Sequence, residues 1–181
     1  TGLGLAMPAG LNAYIPLLAI ALAARYTGLI QLAAPYDAVA SPWAIAIIGV
    51  LLGIEIIADK IPIVDHINDL IQSFIRPAAG AVLVMASTDA VNSINPVLAM
   101  ILGLVVAGGV HTAKSTFRPV VTATTGGVGN PVVSATEDGA AICLSVIALV
   151  APVLIAIVIL LAASFALMVL RRRRRQRASP I

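Results

Sequence analysis

Glu55 to Pro77 reads EIIADKIPIVDHINDLIQSFIRP, and the reading of this stretch decides the fold. It follows an uncharged apolar run and carries Glu55, Asp59, Lys60, Asp65, His66, Asp69 and Arg76. At helical spacing after Pro62, Ile63, Ile67, Leu70, Ile71 and Phe74 form one apolar stripe. Asp65, Asp69, Gln72 and Arg76 form a polar stripe on another face. Glu55 and Asp59 are four apart at the end of the preceding helix. Ionisable groups thus gather where an apolar helix gives way to an amphipathic one, predicted over 63–75 as an interfacial or re-entrant element.

Composition places that segment in a membrane. Hydrophobic residues make up 60% of the 181 and charged ones 10%, whereas a soluble domain carries about 25% charged residues. The reading is an all-α membrane protein, a bundle of five or six transmembrane helices. A single transmembrane domain covers 1–170, and 171–181 is a basic cytoplasmic tail. Arg171 to Arg175 and Arg177 supply six of the eleven basic residues. That run fits a cytoplasmic stop signal on anionic headgroups, and behind an apolar helix it does not suggest nucleic acid. Cys143 stands alone in an apolar run, which excludes a disulfide framework or a Cys-based metal site. Residues 1–24 have no basic leader region and read as a span, not a cleaved signal peptide.

A spanning helix needs about 20 apolar residues. The candidates are Pro8–Ala24, Trp43–Ala58, a short run Ala78–Ala86, Val97–Val110, and the long run Gly139–Leu170 that Pro152 divides. Between the last two, PVVTATTGGVGNPVVSATED (119–138) is too rich in Gly, Pro and Thr for a regular lipid-facing helix. It is predicted to be a discontinuous element inside the protein or along a cavity.

Ser41 to Lys60 aligns without gaps on Asn95 to Lys114, with Pro42/Pro96, Ile47/Ile101, Gly49/Gly103 and Lys60/Lys114 identical. Each copy is followed by Arg-Pro, at Arg76-Pro77 and Arg118-Pro119, so the repeat units run over about 41–77 and 95–119. Duplicated halves with polar, Pro-interrupted segments are the pattern of transporters with a site at the repeat interface. The Arg-Pro pairs are read as cations at helix breaks, holding an anion or pairing with an acidic partner. Five spans with the Arg tail inside would leave Lys60, Arg76, Lys114 and Arg118 outside, against the positive-inside rule, unless they are sunk in the protein.

The candidate ion or substrate pathway comprises Glu55, Asp59, Lys60, Asp65, Asp69, Arg76, His111, Lys114, Arg118, Asn130, Glu137 and Asp138. His111, Lys114 and Arg118 share one helical face, and Glu137-Asp138, ahead of the last apolar run, read either as helix capping or as a cation or proton site facing the glycine-rich segment. Taken singly, each charge near a span end is accounted for by snorkelling to the interface. Their clustering in two equivalent places, with both signs present, favours a working role. Asn12 and Tyr14 are polar positions expected to face the interior. Asp65, His66 and Asp69 are the one weak metal-ligand grouping. No nucleotide loop, zinc-protease helix or nucleophile elbow is present, so no enzyme and no cofactor are indicated.

The segments PAGLNAYIPLL (8–18), ADKIPIVDHINDLIQSFIRPAAGA (58–81) and VHTAK…RP…GNPVVSATED (110–138) together resemble the small bacterial membrane proteins grouped as domain of unknown function 4126. The resemblance runs up to the Arg tail. It implies an integral protein of the bacterial inner membrane and implies no activity. Function therefore rests on the residues. The first reading is a small transporter or channel-like protein moving an ion or a proton-coupled solute between the repeats. The second is an accessory subunit, homo-oligomeric or bound to a membrane partner, whose charges are ion pairs. The third is handling of a phospholipid or polyprenyl-phosphate.

Overall fold

The computed structural model describes residues 1–59, 62–87, 95–152 and seven positions beyond them (154, 157, 160, 161, 164, 165 and 168), with Pro62, Ile63, Asp65 and His66 as backbone only. Lys60, the basic tail and the side chains of Asp65 and His66 lie outside the described residues. The described chain holds six α-helices, α1 (Gly2–Ala9), α2 (Tyr14–Leu22), α3 (Pro42–Ala58), α4 (Pro62–Ala86), α5 (Pro96–Thr125) and α6 (Asn130–Val150), with a π-helical turn at Ala23–Thr27 and a 3-10 turn at Tyr36–Ala40. No strand is present among those residues. Three stretches, Ile67–Ala86, Pro96–Thr125 and Asn130–Val150, are long and apolar enough to cross a membrane. Tyr14–Thr27 and Pro42–Ala58 are shorter apolar helices. The protein is an all-helical membrane protein.

Helix starts follow their sequence signals. Ser41 and Asn95, matched positions of the repeat, each precede a Pro and accept a backbone N–H, from Ala44 and Val97 respectively. Pro152 marks a real division, since α6 stops at Val150 and Ala151 leaves the helical conformation at φ −138.

Three expectations are corrected and a fourth is narrowed. The first span, predicted as Pro8–Ala24, is broken into α1 and α2 by Gly10–Ala13. The amphipathic 63–75 segment is not a separate interfacial helix; it runs through Pro77 into α4. Nor do the Arg-Pro pairs mark breaks, since Pro77 lies inside α4 and Pro119 inside α5. A proline removes one backbone bond, but unwinding in a bilayer strands several polar groups, so the helix continues. For the same reason the Gly- and Pro-rich stretch shrinks to a four-residue turn, Gly126–Gly129, between two regular helices. Gly126 and Gly127 supply the left-handed backbone of that turn, at φ 62 and 87.

α4 and α5 form the main pair, and α1 packs on α4, α5 and α6. After its turn α6 leaves α5 and packs on α1 and α2. Leu5 of α1, Ile20 of α2 and Leu83 of α4 form a small apolar core, whereas what α3, α5 and α6 bury is small or polar. In α5 the buried residues are Ala99, Gly103, Ala107, His111, Lys114 and Arg118, one stripe whose first half is small and second half ionisable. In α6 they are Asn130, Ser134, Ala141, Ser145 and Ala148. Of α3 only Glu55 and Ala58 are buried. Along the first half of α4, Ile67, Leu70, Ile71 and Phe74 are exposed while Gln72 and Arg76 are buried. Amphipathicity in that part of α4 is inverted relative to a soluble protein, with lipid as the outer solvent. The polar interior of that bundle is where the site lies.

Candidate functional site

Arg76 is 0% exposed and ties three helices together. Its Nη2 donates to Glu55 Oε1 of α3 at 2.9 Å, and its Nη1 donates to His111 Nδ1 of α5 at 2.9 Å. A guanidinium has no lone pair to offer, so His111 Nδ1 is the acceptor and the ring proton sits on Nε2. That fixes a neutral His111, whose Nε2–H donates to Ser73 Oγ at 3.1 Å. Ser73 Oγ in turn donates to the Asp69 backbone carbonyl at 2.8 Å. Spacing explains the line: Asp69, Ser73 and Arg76 succeed one another at i, i+4 and i+7 along α4.

The second half of the site centres on Asp59, the C-cap of α3, which is 2% exposed. Its Oδ2 accepts from Arg118 at 3.4 Å and from Ser134 Oγ at 3.4 Å, with the Lys114 ammonium 3.8 Å away. Its Oδ1 accepts from Asn68 Nδ2 at 2.9 Å. Glu137 Oε2 lies 2.9 Å from Lys114 Nζ and 3.1 Å from Arg118 Nη2. Asp69 joins the halves, its two oxygens 3.9 Å from Arg76 and 3.7 Å from Arg118. Lys114 also donates to the Leu11 carbonyl at 3.0 Å, so the break between α1 and α2 delivers a backbone oxygen into the cluster. Next to it, Asn12 Oδ1 accepts from the Tyr14 and Ile15 N–H groups, and Asn12 Nδ2 donates to Asp138 Oδ1 at 3.0 Å.

Most predicted site residues therefore meet. Glu55, Asp59, Asp69, Arg76, His111, Lys114, Arg118 and Glu137 form one network, with Asp138 attached through Asn12. Asn130 serves the hairpin instead, bonding Thr122 across the turn at 3.0 Å. Among the described residues no group of His, Cys, Asp and Glu can hold a metal ion. The Asp65, His66 and Asp69 grouping rests partly on side chains outside the described set. Sequence reasoning missed Asn68, Ser73 and Ser134. Ser134 precedes Glu137 by three on the inward face of α6, a spacing that identifies it once that face is known. The Leu11 carbonyl had no such signal, because backbone groups become ligands only where a helix breaks.

Two features of the network are chemically open. Glu55 Oε2, Asp69 Oδ1, Gln72 Oε1 and Arg76 Nε are buried without a hydrogen-bond partner. Among the described side chains of the network, four carboxyl groups (Glu55, Asp59, Asp69, Glu137) face three cations (Arg76, Lys114, Arg118). An apolar bundle that gathers this many ionisable groups has placed them against a high desolvation cost.

The chain belongs to the family described as Domain of unknown function (DUF4126), which matches residues 1–172. No curated protein and no solved structure matches it.

Proposed function

We propose that this family member is a small transporter or channel-like protein of the bacterial inner membrane, moving protons or another small ion coupled to a small solute. The observation that carries the reading is the buried network itself: ionisable side chains from α3, α4, α5 and α6 converge inside helices whose outer faces are apolar. Close packing of small residues suffices to hold such helices together. Each ionised group at membrane depth costs about 2.5–3.5 kcal/mol on insertion scales, so the charges need another reason to be there. The broken first helix supports the same reading, since it offers the Leu11 carbonyl to the cluster as discontinuous helices do in secondary transporters. The Arg171–Arg177 tail belongs on the cytoplasmic side, against anionic headgroups.

The test is flux in liposomes holding the purified chain alone and a trapped pH indicator. An imposed ion or pH gradient drives signal in the native protein and not in Asp59→Asn or Arg118→Gln. A folded native protein that conducts nothing under any gradient ends the transport reading.

A second reading has its own observation. Each of Arg76, Lys114 and Arg118 already faces a carboxyl group within 3.1 Å or 2.9 Å, as ion pairs that merely fix a bundle would. An accessory subunit of this kind co-purifies with a stoichiometric membrane partner and shows no flux alone. Lipid-phosphate handling ranks third, because a phosphate between Arg76 and Arg118 must first displace Asp69.

A further inference from the structure

One nitrogen of Arg76 stands between two acceptors. Its Nη1 donates to His111 Nδ1 of α5 at 2.9 Å, and the same Nη1 lies 3.9 Å from Asp69 Oδ1 of its own helix. Asp69 Oδ1 is buried without a hydrogen-bond partner, so it is an unsatisfied acceptor just beyond bonding distance. The other ring nitrogen of His111 is held independently of Arg76. Its Nε2–H donates to Ser73 Oγ at 3.1 Å, and Ser73 Oγ donates to the Asp69 carbonyl at 2.8 Å. The charges that face His111 are Arg76 and Asp69 from α4 and Lys114 and Arg118 from its own helix. Behind them stand Glu55 of α3 on Arg76, and Asp59 of α3 with Glu137 of α6 on Lys114 and Arg118. Tyr14 of α2 lies within the field of Arg76, and α1 carries no ionisable side chain.

An imidazole accepts through Nδ1 only while that nitrogen carries no proton. A proton arriving there occupies the lone pair that Arg76 uses and sets a cationic ring against a guanidinium. The Arg76 Nη1 hydrogen then needs another acceptor, and Asp69 Oδ1 is the unsatisfied one already facing it. Resting on the transport reading above, we infer that His111 is the proton-carrying residue of the network, and that its protonation turns Arg76 Nη1 from His111 to Asp69. The conformation seen in the structure is the proton-free one. The exchange leaves Arg76 Nη2 on Glu55 Oε1 and His111 Nε2–H on Ser73, so neither of those bonds has to break. It has two consequences for the fold. The Arg76–His111 bond between α4 and α5 is lost. Asp69 is drawn toward Arg76 and away from Arg118, which its Oδ2 faces at 3.7 Å. A proton in one half of the network thus reaches the other, where Arg118 meets Asp59 and Glu137.

Nitrogen NMR of the full chain in lipid bilayers, isotope-labelled at histidine, follows the ring directly. The chain has two histidines, so His66→Gln leaves the His111 signals alone in the spectrum. At high pH the ring is expected to carry its single proton on Nε2, and at low pH both ring nitrogens are expected to be protonated. With Asp69→Asn added, the second proton is expected only at lower pH, because the acceptor that receives Arg76 has lost its charge. Three outcomes overturn the assignment: a ring that stays singly protonated until the protein unfolds, a single proton carried on Nδ1, or a titration that Asp69→Asn leaves unmoved. If His66→Gln does not fold, His111→Gln identifies the same signals by their loss from the native spectrum. If Asp69→Asn does not fold, the tautomer and titration of the native ring decide. Proton flux that persists unchanged in a folded His111→Gln also overturns the assignment. A ring that behaves as expected in a protein without flux keeps His111 as a proton site and ends the transport reading instead.

Discussion

Gly80 of α4 and Gly103 of α5 meet backbone to backbone: a Cβ on Gly80 would lie 2.6 Å from the Gly103 carbonyl oxygen, and one on Gly103 would run into the Gly80 carbonyl. Arg76 precedes this crossing by one turn, and His111 follows it by two. The bond between them depends on how closely the two helices approach. Small residues at a crossing are how helices associate in lipid, where burial of apolar surface offers no driving force.

Gly103→Ala is therefore expected to destabilise the protein by about 1–3 kcal/mol through overpacking. Gly49 occupies the matching position of the repeat, and a Cβ there would meet nothing within 4 Å. Gly49→Ala is expected to be neutral or slightly stabilising, since Ala is the better helix former by about 1 kcal/mol. Thermal unfolding of both variants in detergent makes the comparison. Equal midpoints would mean that the crossing is not tight.

Lys114 is held at 2.9 Å by Glu137 and at 3.0 Å by the Leu11 carbonyl, at 2% exposure of its side chain. Lys114→Met strands both acceptors and is expected to cost about 3–5 kcal/mol, the range for one partner lost from a buried pair. Adding Glu137→Gln to that background is expected to restore part of the loss, with a coupling of about 0.5–3 kcal/mol between the sites. Strictly additive effects in denaturant titrations would show that the two groups do not interact.

Much of this was legible in the sequence, and the failures have physical causes. The spacing of His111, Lys114 and Arg118 put them on one face, and all three are buried there. The stripe of Ile67, Leu70, Ile71 and Phe74 is equally real, but periodicity does not say which solvent a stripe faces. Here it faces outward, because the bundle interior is occupied by Gln72, Arg76 and their partners. Arg76-Pro77 and Arg118-Pro119 misled because the cost of a proline in a helix, about 3 kcal/mol in water, competes in lipid with the larger cost of unpaired backbone. The break at Gly10–Ala13 was hidden because its stabilising bonds come from far along the chain, Lys114 and Asp138 among them.

Asn12 is the residue that keeps that break in place. Its Oδ1 accepts two N–H groups at the start of α2 at 3.0 and 3.2 Å, and its Nδ2 reaches Asp138. Asn12→Ala is expected to lose about 0.5–2 kcal/mol for the cap, plus the Asp138 contact. Asn12→Asp keeps the cap and sets a second carboxylate against Asp138, so its loss is expected to shrink as pH falls and one of the pair is protonated. Melting curves across pH for the two variants check this. A pH-independent deficit in Asn12→Asp would remove Asp138 from the account.

The outward stripe of α4 tests whether that helix crosses the bilayer or lies along its surface. Ile67, Leu70 and Phe74 are 59%, 68% and 77% exposed, and they lie within the stretch Ile67–Ala86 that is apolar enough to span. If α4 crosses, Ile67 and Phe74 differ in depth by about 10 Å, at 1.5 Å per residue over seven residues. If it lies flat, all three sit at one depth. Nitroxides introduced by Ile67→Cys, Leu70→Cys and Phe74→Cys, in a Cys143→Ala background because Cys143 is itself exposed, report depth through collision with oxygen against a water-soluble nickel chelate. Oxygen contact is expected to rise and nickel contact to fall from Ile67 through Leu70 to Phe74. A label at Val128, 81% exposed in the Gly126–Gly129 turn, is expected to show the opposite balance. A flat profile along α4 would return 63–75 to the membrane surface, and it would take Asp69, Gln72 and Arg76 out of the bundle interior with it.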